Sequence, residues 1–365
     1  MNKYDIELWS RTGVFLADIS RYVKNFSYSM QRNEAEQLQL SIDLDAYEAY
    51  CASIGTNPTS ILGPYQTDIK VKRNGEYLFG THVGQISVEM GETYSTINVR
   101  AFGYLNLLID RYVTKTYPQA DNWDATQIAW DLIATTQAQT NGNLGMTQGT
   151  TTSVYNRERT YVRQNVKEAI VNLTKLVNGN FDFDFTHDRQ FNVYQSIGSD
   201  KSVDLQFIYP GNIRKIVVPR DGLSLYNKIY GIGSGFGDEA LTSTQGDNDS
   251  QLNYGVHEKI SLWNSVIIQD TLDQNTAGDL DLRKGLLEIP QMMVSGEDFD
   301  LNDIGIGDKV TARIEEHPFL ATVTGVYRVE RIDVDVDEND AEDISISFDN
   351  HGLDQSEYES EQQDS

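Results

Sequence analysis

Four groups of residues have the types and spacing from which chemistry is built. Gly231-Ile232-Gly233-Ser234-Gly235-Phe236-Gly237 offers backbone N–H groups to a phosphate, or a serine to a nucleophile elbow. It fits neither pattern. Phe236 stands at the third glycine of G-x-G-x-x-G, Ile232 stands at the first glycine of G-x-S-x-G, and no helix follows immediately. Asp182 and Asp184 are spaced as a carboxylate pair, but Phe183 between them marks a strand whose solvated face they would form. Asp333, Asp335, Asp337 and Asp340 begin like a calcium loop. Glu338 replaces its glycine and Ile344 its closing glutamate, which leaves a hairpin tip crowded with acids. His82, His187, His257, His317 and His351 are scattered, with no H-E-x-x-H and no Cys–His pairing. The single Cys51 has no intrachain partner and reads as a small buried apolar residue. The sequence therefore nominates no catalytic, cofactor-binding or metal-ligating residue and calls for no cofactor. It reads as a non-enzyme.

The elements around these groups are legible from their periods. The most strongly specified unit is Asn165 to Tyr194. Asn165 caps a helix with Glu168 at the capping-box position, and Val166, Ala169, Ile170, Leu173, Leu176 and Val177 form one face. Asn178-Gly179 supplies a left-handed stop. The period then switches to two: Phe181, Phe183 and Phe185, a polar turn from Thr186 to Gln190, and a return strand with Phe191 and Val193. This helix and hairpin must pack on each other, as a brace between flanking β structure.

Before it, alternation predicts strands at Asp5–Trp9, Val14–Ile19, Phe26–Met30 and Leu38–Ile42, then a short helix near Ala46–Ser53. A meander follows: Ile69–Lys72, the hairpin signal Asn74-Gly75, Tyr77–Phe79, Val83–Val88 and Thr96–Phe102. A brief helix at Leu105–Ile109 leads to a better one, capped by Asp124 with Gln127 reciprocating and Trp123 and Ile128 as a staple. Residues 139–153 read as a loop. Later strands are predicted at Ile213–Val218 and Asn227–Phe236, the latter with Gly231, Gly233, Gly235 and Gly237 along one face for a close neighbour. Asp238–Asn253 reads as a polar loop, and Ala277–Leu287 as a helix with Leu280, Leu282 and Leu286 buried.

The last segment repeats an earlier one. Val83-x-x-Ile86-x-Val88 and Ile97-x-Val99 return as Val329-x-x-Ile332-x-Val334 and Ile344-x-Ile346. Asp68 to Arg73 precedes the first set as Asp308 to Arg313 precedes the second. The expected fold is α+β and mainly β: two small similar β-barrels joined by an α+β middle domain. The divisions are 1–103, a first barrel; 104–205, the middle domain; 206–353, the glycine-marked strand, a helix and the second barrel; and 354–365, a disordered acidic tail.

Acids outnumber bases 55 to 29, for a net charge of −26 over 365 residues. That excludes binding nucleic acid by its phosphates and docking on an anionic membrane. No basic start precedes an apolar run, so no signal peptide is expected, and no stretch approaches the ~20 apolar residues of a membrane span. Twenty Tyr suggest broad protein contact surface.

Three stretches carry a family resemblance: Asp5–Leu8 with Val14–Ile19, Asn227–Gly233, and Gly307–Val310 with Tyr327-Arg328-Val329-x-x-Ile332. In these and in layout, residues 3–350 resemble the baseplate or tail-tip hub proteins of long-tailed bacteriophages, in the short form without a lytic extension. The resemblance implies a homotrimer whose two barrels per chain make a ring of six. Such a ring adapts the sixfold tail tube and distal tail protein to threefold tip, spike or receptor-binding proteins. It also implies contact with the tape measure protein and transient contact with genomic DNA, without stable nucleic-acid or membrane binding. The protein is then a late, structural virion protein at the distal tip of the tail, made in the bacterial host cytoplasm. The acidic charge would suit a pore through which DNA slides. Many relatives carry a C-terminal peptidase or lysozyme-like extension; this chain stops at Ser365, so no hydrolase activity is expected. Two rival readings are a receptor- or carbohydrate-binding tail protein, which expects an exposed aromatic groove, and a cell-wall hydrolase, which needs two acids roughly 5–10 Å apart in a cleft.

Overall fold

The computed structural model describes residues 4–92, 94–175, 180–263, 266, 268–286, 290–295, 299–314 and 324–348. Leu176, Val177, Asn178-Gly179, Leu287, His317, His351 and the 354–365 tail lie outside them.

Alternating apolar residues give β1 (Tyr4–Ser10), β2 (Phe15–Asp18), β3 (Val23–Gln31) and β4 (Gln37–Asp43). Asp43 then caps α1 (Leu44–Ser53), and α2 (Pro58–Ile61) follows. The meander is β5 (Thr67–Arg73), β6 (Glu76–Met90) and β7 (Ser95–Gly103). Asn74 and Gly75 between β5 and β6 take φ of 53° and 86°, as a primed hairpin turn requires. The two strands expected at Tyr77–Phe79 and Val83–Val88 are one, bulged at Gly84, where the register slips between Val83 and Gln85. A Cβ at Gly84 would stand 2.8 Å from the Phe102 ring, so only glycine lets the bulge close on β7.

The middle of the chain supplies β8 (Tyr112–Tyr117), α3 (Ala125–Gln137), β9 (Thr147–Gln148), β10 (Arg159–Asn165), α4 (Val166–Thr174), β11 (Asp182–Phe185) and β12 (Gln190–Tyr194). Asp124 and Gln127 form the full capping box on α3. On α4 Asn165 caps by accepting from the Glu168 N–H, and its own amide donates to Ile109 O. The 139–153 segment is not all loop, because β9 adds a parallel strand to the β11–β12 hairpin. Ile128, Leu132, Ile170, Leu173, Phe183 and Phe191 meet in one apolar core. Leu173 is fully buried there, so Leu173→Ala should destabilise the protein by about 2–4 kcal/mol, measured as a lower urea midpoint.

The rest comprises β13 (Gln206–Tyr209), β14 (Lys215–Val217), β15 (Lys228–Ile232), β16 (Thr242–Gly246), α5 (Asn248–Tyr254), β17 (Glu258–Leu262), α6 (Gln269–Arg283), β18 (Gln291–Ser295), β19 (Lys309–Ile314), β20 (Gly325–Val336) and β21 (Glu342–Phe348). Three expectations change here. The 238–253 stretch holds β16 and most of α5 rather than a loop. The glycine-marked strand ends at Ile232. Its Gly231 is where α6 comes close, since a Cβ would lie 2.1 Å from Thr276 Oγ1 and 2.9 Å from the Trp263 ring, while Gly235 and Gly237 turn beyond the strand. The helix expected at Ala277–Leu287 begins at Gln269, and of the expected stripe only Leu280 is buried, beside Leu272, Thr276, Asp279 and Arg283. Its inward face is partly polar because Ser261, Lys259 and Arg283 satisfy Asp279, so apolar periodicity could not reveal it.

Thirteen strands form one sheet. Its main path runs β14-β18-β21-β20-β3-β4-β7-β6-β5-β1-β2, with β19 and β13 continuing from β20. The fold is mainly β, but the described strands do not close into two barrels. A barrel needs its end strands to pair with each other. Both edges of β3 are already taken, by β4 and by β20, and both halves bury their apolar faces in one shared core.

The sequence repeat is a repeat of structure. The first half runs β3-β4-β7-β6-β5-β1 and the second β14-β18-β21-β20-β19-β13. Ile86 stands opposite Val99 and Val88 opposite Ile97, as Ile332 stands opposite Ile346 and Val334 opposite Ile344. The bulge recurs too: β6 slips register after Val83, and β20 slips after Val329. The halves differ at one end, where β1 meets β5 antiparallel but β13 meets β19 parallel.

Candidate assembly face and the charge nodes behind it

The join between halves creates a continuous polar face. Side chains outward from the core line up across strands: Asp343, Asp335, Ser27, Gln39, Arg100 and Gln85 stand opposite one another in turn. They floor a cleft of about 910 Å³. Acids outnumber bases along it. Asp335, Asp337, Glu342 and Asp343 line the cleft with Arg100 and Arg214, and Asp333 and Arg331 lie beside it, with hydroxyls and amides between. Arg331 pairs with Asp333 at 2.6 Å and Arg214 with Asp343 at 3.4 Å.

Behind this face, Asp182 ties three segments together. Its carboxylate accepts from Arg32 Nη1 at 3.1 Å and Asn33 Nδ2 at 2.9 Å in the β3–β4 turn, from Arg328 Nη2 at 2.6 Å on β20, and from the Ile197 N–H at 2.9 Å. Burial alone would push this carboxyl up; Arg32, the Ile197 N–H and Arg328 together hold it below the ordinary carboxylate range. The expected solvated face is thus an internal junction, and Asp182 is buried. Asp184 is half-buried and accepts from Asn192 and Tyr194. Each carboxylate is occupied by its own donors, and none of these contacts joins the two.

The Thr186–Gln190 turn is a docking knob that sequence reading passed over. Arg189, held at φ 64°, grips buried Asp68 of β5 through Nε at 3.1 Å and Nη2 at 2.7 Å, and lies over the Tyr104 ring. Asp188 takes Lys70, and His187 stacks on Tyr77 at 3.8 Å. The signal available was the run His187-Asp188-Arg189, unusually rich in charge for a simple turn. The equivalent of Asp68 in the second half is Asp308, which accepts from the Ser199 N–H at 2.7 Å and pairs with Lys201 at 2.8 Å. Gly198 and Gly307 let the backbones touch there, since a Cβ on Gly198 would lie 2.1 Å from the Gly307 carbonyl carbon.

Glu36, in the same β3–β4 turn, is pushed up to about 7, first by burial and further by Asp184, against the pull of its own backbone N–H. A Cβ at Gly103 would strike this carboxyl at 1.9 Å, which fixes the pocket's tightness. Folded Glu36 therefore keeps a proton that the unfolded chain loses near pH 4.5. Its contribution to stability is full below that pH and is lost as pH rises through about 7. Urea midpoints should fall between pH 5 and pH 8, and Glu36→Gln should flatten that fall.

The remaining candidates disperse. Asp337 closes the β20–β21 turn by accepting the Asn339 and Ala341 N–H groups, while Asp333 and Asp335 point from β20. Among the described residues no group of three or more His, Cys, Asp or Glu is arranged to hold a metal ion. His82 is buried between Tyr65 and Phe102, held down at about 4 by burial and by Arg189. Cys51 is buried in the shared core, as expected.

No protein-family model and no curated protein sequence matches the chain. Solved structures do. The tail protein from Neisseria meningitidis MC58 superposes with a TM-score of 0.65 at 11% identity, over 97% of this chain and 99% of that one. The fold is that of phage tail proteins. The 43 kDa tail protein of prophage MuSo2 from Shewanella oneidensis gives 0.64 at 12% identity, covering 94% and 98%. Prophage tail protein gp18 from Listeria monocytogenes EGD-e gives 0.55 at 15% identity, covering 94% of each chain. The similarity extends across both halves and the middle of the chain.

Proposed function

We propose that the chain is a structural, non-enzymatic tail protein that assembles as a homotrimeric hub at the distal end of a phage tail. One observation carries the reading: two halves of the same strand order, each with the same bulge, are joined edge to edge within one chain. Three such chains present six similar units. That is the geometry needed to match a sixfold tube and distal tail protein on one side and threefold tip or spike proteins on the other. Similarity to tail proteins over nearly the whole chain supports it.

The polar face of the joined sheet lines the passage for DNA in this reading. Acids outnumber bases along it, and its hydroxyls and amides offer no clustered cations for phosphates to grip, so DNA slides through. The polypeptide is assigned no cell-wall hydrolysis, so a zymogram of the pure protein should stay blank. The deciding experiment is the mass in solution combined with the protein's position in a virion reconstruction. A threefold ring at the tail end is expected; a position on the tail shaft or in the capsid would sink the proposal.

A second reading has one observation in its favour. Trp123 and Trp130 line a cleft with Asp121, Asn122, Gln127 and Asp131, an aromatic and polar mixture suited to a sugar. Millimolar cell-wall or surface saccharides should leave Trp fluorescence unchanged under the hub reading and quench or shift it under this one.

A further inference from the structure

The halves share a strand order but not the state of their edges. In the second half, Arg331–Val336 of β20 is covered on its outer side by β3. The counterpart in the first half is Gln85–Met90 of β6, which among the described residues pairs on one side only, with β7. The counterpart of β3 is β14, because β3 lies beside β4 as β14 lies beside β18. Among the described residues β14 also pairs on one side only.

Exposure marks the same two edges. Val334 and Val336 are buried, at 1% and 3% exposure, while their counterparts Val88 and Met90 are 55% and 76% exposed. On β14 and just past its end, Ile216 and Val218 are only partly buried, whereas their counterparts on β3, Phe26 and Tyr28, are buried. Apolar residues are more exposed on both edges where the internal junction has no copy of itself. Such strand edges are templates for another strand.

We propose that β6 of one chain pairs antiparallel with β14 of the next, repeating between chains the β20–β3 junction that each chain already holds within itself. The internal register sets the external one. Val336 stands opposite Phe26, and Ile216 faces Met292 as Phe26 faces Leu40. Met90 therefore comes opposite Ile216, and Val88 opposite Val218. Glu89 falls opposite Val217, with Lys215 as its diagonal neighbour on the same face, an attractive pair. The contact joins two different edges, so it builds head to tail, and in the proposed trimer the third chain closes the ring. The inference rests on the hub reading and names the interface that reading leaves unspecified.

The test is cross-linking of Met90→Cys/Ile216→Cys by mild oxidation or a short bismaleimide, read beside the solution mass of the uncross-linked protein. Expected is a ladder of covalent dimers and trimers ending at three, with neither single variant cross-linking beyond the background of buried Cys51. Cross-linking by Met90→Cys alone would mean a two-fold contact and overturn the pairing. Trimers that do not cross-link would overturn the pairing and leave the hub reading standing. A ladder running past three would support the pairing and overturn the trimer. Monomers that do not cross-link even at ~1 mM would overturn the pairing as the assembly contact, with the virion reconstruction judging the hub separately. Val88→Lys/Met90→Lys, two exposed positions, should leave the unfolding midpoint of the monomer unchanged and weaken association at least tenfold.

Discussion

Asp182→Ala will lower the unfolding free energy by about 3–5 kcal/mol, the range for removing one partner from a buried charge cluster. The carboxylate is the shared acceptor of two guanidiniums, one amide and one backbone N–H. Without it, Arg32 and Arg328 keep like charges near each other across a buried space. Each retains a second acceptor: Glu330 for Arg32 at 2.8 Å, and Ile197 O for Arg328 at 2.8 Å. That places the effect toward the lower end of the range. Asp182→Asn should fall between, since an amide keeps an oxygen acceptor but not the charge. Asp184→Asn should cost about 1 kcal/mol or less, because its partners are neutral Asn192 and Tyr194 and it is ionised at the cost of its own burial. Equilibrium urea curves with matched slopes decide it. Equal midpoints for the Asp182 and Asp184 variants would mean the junction contributes nothing.

The same residue shows why part of this structure was hidden. Alternation places Asp182 opposite Phe183 across the strand, and that is where it lies. Alternation equals exposure only when one face meets water. Here one face of the hairpin packs on α3 and α4, and the other meets the β3–β4 turn and β20. The partners sit 150 and 146 residues away in the chain, so no local window contains them. The legible features were those whose cause is local. Asn74-Gly75, the Asp124–Gln127 box and the Asn165 cap each specify a turn or a helix start within four residues. The repeat was legible because matched phases of Val and Ile survive in both halves. Short strands such as β13, β14 and β17 were blurred or missed, being only three to five residues long and partly exposed. Closure into barrels was wrongly expected because a strand's pattern says which face is buried, not which neighbour its edge will take.

Arg73→Met and Glu342→Leu will each destabilise the protein by about 3–5 kcal/mol, while the two together will cost far less, about 0–2 kcal/mol. Arg73 lies on β5 of the first half and Glu342 on β21 of the second, and both side chains are essentially inaccessible to water. The guanidinium gives Glu342 two bonds, at 2.8 Å and 3.0 Å, and a third to Asp300 at 3.1 Å. Burial works against the charge on Arg73, and Glu342 more than restores it. Tyr4 donates its hydroxyl to the same carboxylate at 2.5 Å, and burial keeps that hydroxyl protonated far above its ordinary range. Removing Arg73 strands Glu342 in the shared core, and removing Glu342 leaves Arg73 with the half-exposed Asp300, but removing both replaces a costly desolvation with apolar packing. Stability alone therefore does not explain the pair. It ties β5 of the first half to β21 of the second across the core, and in the proposed ring that sets the angle at which β6 and β14 meet neighbouring chains. The double variant should fold with near-normal stability yet assemble poorly into trimers, measured by light scattering against the wild type. If it assembled as well as the wild type, the pair would set neither stability nor register; if the single variants each cost under about 1 kcal/mol, the buried charges would not be coupled at all.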